Sequence, residues 1–98
     1  MLTKIENTES LDQVFTALAN KHRREIVYSL GLHPASIAQL AYQQKLSLPA
    51  IHRHIVVLEQ AKLVQRKKVS KTNFIALDRT TLWLMQDWIA QYRAYWGN

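Results

Sequence analysis

Between Ser36 and Ala61 the chain holds two short helical segments, each opened by its own cap and separated only by a tight turn. Ser36 and Gln39 make a capping box, in which the serine side chain satisfies one orphan amide and the glutamine returns to another. The helix they open runs through Ile37, Leu40 and Ala41. After a turn around Lys45, Ser47 caps a second helix, and Pro49 falls in its first turn, where a missing amide costs little. This second helix spans about Leu48 to Ala61. At about 100° per residue, Leu48, Ile51, Ile55 and Leu58 lie on one side, which faces the core, while Pro49, His52, Arg53 and Val56 point away. Ala41 is small because the second helix crosses close by, Leu46 plugs the turn, and Ile51 anchors the second helix on the first. A helix held in this way offers its outer face to the major groove of DNA, which is wide enough to admit it.

The flanking sequence supplies the rest of a domain. A first helix is expected to begin near Ser10, where Ser10 and Gln13 match a further capping box and Leu11, Val14, Phe15 and Leu18 form one stripe. Asn20 caps the next helix, with Arg23, Ile26, Val27 and Leu30 on a mixed face. Gly31 is expected to take a left-handed cap there, and Pro34 to prevent continuation. Two β-prone runs, Leu63 to Val69 and Asn73 to Leu77, are separated by Ser70, Lys71 and Thr72 and read as a hairpin with a basic tip. The last helix is expected from about Thr80 to Trp96. The chain has no internal repeat, low-complexity tract or Gly/Ser/Pro-rich linker, so its 98 residues read as one domain, 1–98. The fold class is mainly α with a small β-hairpin: a winged helix-turn-helix of five helices and a two-stranded wing.

Charge agrees with that placement. From Lys45 to Lys71 lie seven basic residues against one acid, Glu59, and elsewhere six basic residues balance six acidic ones, so the whole net charge of +6 falls in this stretch. A localised basic field is the footprint of a polyanion partner, although a solvated lysine-rich face carries the same signature. Without cysteine there is neither a disulfide framework nor a thiolate metal site. No apolar run approaches the roughly 18 residues of a membrane span, and the start lacks the apolar stretch of a secretory signal, so a cytoplasmic location is expected. No catalytic triad, Gly-rich phosphate loop or paired catalytic carboxylates can be picked out, which argues against an enzyme.

Three segments carry a family resemblance. Residues Phe15 to Ile26 (FTALANKHRREI) resemble the opening of the ArsR/SmtB-type winged-helix repressors, Ser36 to Ala41 (SIAQLA) the start of their helix-turn-helix, and Leu46 to Val64 (LSLPAIHRHIVVLEQAKLV) their recognition helix and its exit into the wing. The similarity runs from about residue 11 to residue 77. It implies a homodimer that binds operator DNA and is often released by an effector, which this sequence does not name. The family's thiolate positions align with Ser36 and Ala38, and the last helix has Asp87 but no histidine, so both usual metal sites are missing and neither metal nor cofactor is expected. Lys62 stands where the family usually has glycine, and Ser70 stands near the wing glycine, which points to a left-handed lysine at 62. Val56 replaces a basic residue common in relatives.

The candidate DNA-binding residues are Ser47, Pro49, Ala50, His52 and Arg53 on the second helix and Lys67, Lys68 and Lys71 on the wing. Arg53 is the candidate for base readout, because arginine pairs bidentately with guanine; a phosphate contact is its alternative. Ser47 also serves as a helix cap, and the lysines suit phosphates. His52 and His54 lie two apart and so point about 200° from each other on a helix, while His22 and His33 have no ligand at metal spacing. His54, beside the core stripe, reads as a buried hydrogen-bonded histidine, with pH sensing as the alternative. In the last helix Leu82, Met85, Ile89, Tyr92 and Trp96 repeat at seam spacing, with Leu84, Trp88, Tyr95 and Trp83 beside them. Shared with Leu11 and Phe15 of the first helix, this face is expected to dimerise through segments 10–19 and 80–96, the alternatives being that both lines are core or that the end of the helix is frayed. The implied partners are double-stranded DNA and a second copy of the chain, with no membrane. The competing function is a winged helix that binds RNA, or a protein partner through the aromatic last helix; the basic excess on the DNA-facing elements favours DNA.

Overall fold

The computed structural model describes residues 8–96, with side chains from Ser10 to Arg93. In chain order the elements are α1 (Thr8–Leu18), α2 (Lys21–Leu32), β1 (Ala35–Ser36), α3 (Ile37–Gln44), α4 (Leu48–Gln60), β2 (Val64–Val69), β3 (Thr72–Leu77) and α5 (Arg79–Ala90), which passes into a 3-10 segment at Gln91–Trp96. The caps explain most of the boundaries. The Asn20 side chain accepts the Arg23 amide at 3.1 Å, and both arms of the Ser36–Gln39 box are made, at 3.1 and 2.8 Å. The Ser47 hydroxyl accepts the Ala50 amide at 3.3 Å, and Asp78 caps α5 through the Thr80 amide at 3.1 Å.

α3 and α4 end by the same device. Lys45 and Lys62 take left-handed conformations, with φ of 57° and 60°. The following amides, of Leu46 and Leu63, reach back to the carbonyls of Ala41 and Leu58 at 3.1 and 3.0 Å. This six-to-one bond is that of a Schellman motif, which usually places glycine at the left-handed position. Each lysine is followed by a leucine that turns into the core, Leu63 fully buried and Leu46 partly.

The core joins Val14 and Ala17 of α1, Ile26 and Leu30 of α2, Ile37, Leu40 and Ala41 of α3, Ile51, Ile55 and Leu58 of α4, and Leu63, Val64 and Ile75. Leu48 belongs to the same sequence stripe but is 52% exposed, at the first position of α4. α5 has no buried residue at all: Leu82 and Met85 pack only partly on the core, and Trp83 and Ile89 face outward.

Four further boundaries differ from the sequence pattern. α1 already includes Thr8, at the edge of the described residues, so Ser10 lies inside the helix rather than capping it. α2 runs through Gly31 to Leu32 and is stopped by His33 in extended backbone (φ −170°), which is what Pro34 imposes on the residue before it; no left-handed glycine is used. The sheet has a third strand, because β1 pairs antiparallel with β3 through Ala35–Ile75 and Ser36–Phe74. The last helix tightens to 3-10 geometry after Ala90, a common way for a helix to finish. The expected seam residue Trp96 and its neighbour Tyr95 have side chains outside the described residues. No helix among the described residues is long and apolar enough to cross a membrane.

Candidate nucleic-acid interface

The buried stripe of α4 fixes what its opposite face presents. With Ile51, Ile55 and Leu58 fully buried, Pro49, His52, Arg53 and Val56 are exposed along the outside, and Ala50 is half-covered near the helix start. The exposed Ser47 is held by its capping bond. Among the described residues the Arg53 guanidinium has no hydrogen-bond or carboxylate partner, so its five donors face solvent.

The wing is a two-residue hairpin. Val69 pairs with Thr72, leaving Ser70 and Lys71 as the turn, shorter by one residue than the sequence pattern indicates. Ser70 has a φ of 58°, a left-handed value at the first turn position. Because strand side chains alternate, Arg66 and Lys68 share the face of the buried Val64 and Ile75, whereas Lys67 lies on the other face opposite Phe74. Lys67 and Lys68 thus leave the ribbon in opposite directions, with Lys71 at the tip, and all three are exposed.

Not every charge of the basic run joins this surface. Arg66 makes a bidentate bond to Glu59 of α4, Nε to Oε2 and Nη2 to Oε1, each at 3.0 Å. That hydrogen bonding, reinforced by the charge of Glu59, raises the guanidinium pKa above its ordinary value and straps the wing to α4. Lys62 lies past the far end of α4, roughly 20 Å from Ser47 at 1.5 Å per residue. There it lines a cavity of about 240 Å³ with Leu11, Val14, Ala61, Leu84 and Met85. The outward cations near the recognition surface are therefore Arg53, Lys67, Lys68 and Lys71, with Lys45 in the turn.

His54 is half-buried rather than buried, and its ring Nδ1 lies 3.2 Å from Nη1 of Arg23. The His22 ring stands 5.7 Å from it, a pairing across α2 and α4 that spacing along the chain does not reveal. Among the described residues no three metal-ligating side chains gather. Phe15 and Trp88 make an edge contact at 5.3 Å, and Trp88 and Tyr92 another at 5.3 Å, so α1, α5 and the 3-10 segment share one partly exposed aromatic group.

Known proteins share this arrangement. The family model described as "Bacterial regulatory protein, arsR family" matches residues 20–66, from the cap of α2 to Arg66 of the wing. The HTH-type transcriptional regulator Rv2034 of Mycobacterium tuberculosis is 36% identical over 73 residues, covering 74% of this chain and 68% of that protein. The chain belongs to the ArsR family. Solved structures agree: an ArsR-like transcriptional regulator from Rhodococcus sp. RHA1 superposes with a TM-score of 0.82 at 27% identity over 94% of this chain and 87% of that one. HlyU from Vibrio cholerae N16961 superposes with a TM-score of 0.73 at 26% identity over 93% and 97%. As an ArsR-family member the chain is a transcriptional regulator with a winged helix-turn-helix DNA-binding domain, not an enzyme.

Proposed function

We propose that this ArsR-family regulator is a homodimeric cytoplasmic repressor that reads an inverted repeat in double-stranded DNA, its residues 1–98 acting as one domain. The observation that carries the reading is the outer face of α4, where an exposed Arg53, without a partner among the described residues, stands beside Pro49, Ala50 and His52, next to a wing bearing Lys67, Lys68 and Lys71. α4 enters the major groove, Arg53 contacts a base edge, Ser47 brings the helix start to the backbone, and the wing lysines contact phosphates. Two copies related by a dyad place their recognition helices about 34 Å apart.

Dimerisation is supported by α5, an apolar helix that its own domain leaves without a buried residue. Leu11, Phe15, Leu82, Met85, Ile89 and Tyr92 supply the described part of the interface. A protein of Mycobacterium bovis with the same fold (TM-score 0.75, 17% identity, over 93% of this chain and 87% of that one) is described as a homodimeric winged helix-turn-helix DNA-binding domain.

The test is fluorescence anisotropy with a labelled duplex from the gene's own upstream region, against a scrambled duplex, across a salt series. Specific affinity well above the scrambled control, falling steeply with salt, is expected. Arg53→Ala relaxes sequence preference at a cost of about 1–3 kcal/mol, whereas Lys68→Ala weakens both duplexes evenly and lowers the salt slope by about 1. Equal losses on both duplexes for both variants refute that division. Absence of binding even at low salt overturns the repressor reading in favour of an RNA, or of a protein partner for the aromatic face of α5.

A further inference from the structure

Arg23 leaves α2 and ends between two other helices. Its Nε donates to the Ala17 carbonyl at 2.6 Å and its Nη2 to the Thr16 carbonyl at 3.2 Å, both in the last turn of α1. Its Nη1 meets Nδ1 of His54, on α4, at 3.2 Å. One guanidinium thus ties the end of the dimerisation helix to the recognition helix, one residue away from Arg53.

The protonation state of His54 follows from this contact. A guanidinium only donates, so Nδ1 of His54 presents its lone pair and the ring proton sits on Nε2. The charged and titratable groups that face His54 are Arg23 and His22 from α2 and Arg53 from its own helix. α3 contributes the neutral Gln44, whose Oε1 lies 2.8 Å from Nδ1 of His22, and α1 contributes the two carbonyls that hold Arg23. The ion pairs among the described residues are Lys21–Glu25 and Arg66–Glu59, so no carboxylate there balances a proton arriving on His54. Burial first, then the charges of Arg23, His22 and Arg53, hold His54 below its ordinary pKa of 6.5.

We infer that Arg23 and His54 are positioning residues for the recognition helix: neutral His54 accepts the Arg23 guanidinium and holds α4 against α1, and a proton on His54 releases that hold and weakens operator binding. The inference rests on the DNA-binding reading above. A proton on Nδ1 turns the acceptor into a donor that faces another donor, and sets cation against cation. Because the held state has the lowered pKa, the hold is complete above about 6.5 and is lost as pH falls through the lowered value. The sign is diagnostic, since a histidine lying on DNA phosphates would strengthen binding when protonated.

The experiment compares wild type with His54→Asn, whose amide oxygen replaces Nδ1 as acceptor and does not titrate. Anisotropy is read on the upstream and scrambled duplexes at pH 7.5 and 5.5 and constant ionic strength. Wild-type specific affinity is expected to fall severalfold on acidification, because the released state binds the proton more tightly than the held one. In His54→Asn that ratio shrinks to under about twofold, whatever its affinity at pH 7.5. Arg23→Gln provides a second reading: without the neighbouring charge, ring NMR finds His54 titrating closer to 6.5 than in wild type. Specific binding with the same pH ratio in wild type and His54→Asn overturns this inference alone, as does a wild-type His54 that titrates at or above 6.5. If neither duplex binds at pH 7.5, the DNA-binding reading fails and takes the inference with it.

Discussion

Leu48 and Ile55 lie seven residues apart on one stripe of α4, yet the fold treats them differently: Ile55 is fully buried and Leu48 is 52% exposed. Truncating Ile55 to alanine removes apolar atoms from a closed core and leaves a cavity, a change that costs about 2–5 kcal/mol. Truncating Leu48 opens no closed cavity. Full burial of a leucine is worth roughly 1.5–3 kcal/mol, so the covered half contributes about 1 kcal/mol. The two variants therefore differ by about 1–4 kcal/mol. A domain of this size shifts its melting temperature by about 4–8 °C per kcal/mol, so Ile55→Ala melts roughly 4–30 °C below Leu48→Ala. Circular dichroism melts at one fixed protein concentration check this, the concentration being held because association raises apparent stability. Equal losses would refute the reasoning, since Leu48 would then be as covered as Ile55 and α4 would be rotated from the orientation described.

Three other outcomes follow from named contacts. Ser36→Ala removes the hydroxyl that accepts the Gln39 amide and lowers stability by about 1 kcal/mol; an unchanged melt would mean that α3 does not depend on its cap. Glu59→Gln frees Arg66 from a pair whose side chains are 29% and 31% exposed, at a stability cost under about 1 kcal/mol. The freed charge steepens the salt dependence of DNA binding by about 0.9 if it takes a phosphate, and an unchanged slope in anisotropy contradicts this. Ser70→Gly raises stability by up to about 1 kcal/mol, because a left-handed serine costs roughly 1–2 kcal/mol while glycine adds less than that in unfolded-chain freedom. A lower midpoint in a urea titration would count against it.

What the sequence made legible was local chemistry. Asn20, Ser36 and Ser47 cap the helices they open because a cap needs only its own residue and the next three. The inward stripe of Ile51, Ile55 and Leu58 and the outward Arg53 follow from helical periodicity. A left-handed lysine at 62 was readable from the glycine it replaces. The missed features needed the third dimension. The strand Ala35–Ser36 is only two residues long and exists because β3 passes beside it, so no alternation within it announces a strand. Lys62 lies inside the basic run but falls at the wrong end of α4 to join the wing lysines. Which of Lys67 and Lys68 shares the face of the buried Ile75 depends on the strand register, and the meeting of His22, Arg23 and His54 on the crossing of α2 and α4.

That two-residue strand also has a mechanical side. β3 is flanked on both edges where Phe74 and Ile75 pair with Ser36 and Ala35, but beyond them Asn73 and Thr72 have only β2 beside them. The ribbon is therefore stiff at its root and compliant toward its tip. Since Ser36 also caps α3, any tilt of that helix is carried straight into the root of the wing rather than absorbed by a hinge. On the proposed reading, in which α4 and the wing contact DNA, the helix-turn-helix and the base of the wing would then meet a duplex with a preset opening. A duplex that does not match that opening has to bend or change its groove width instead, so sequence steps that deform easily gain an advantage even where no side chain touches a base.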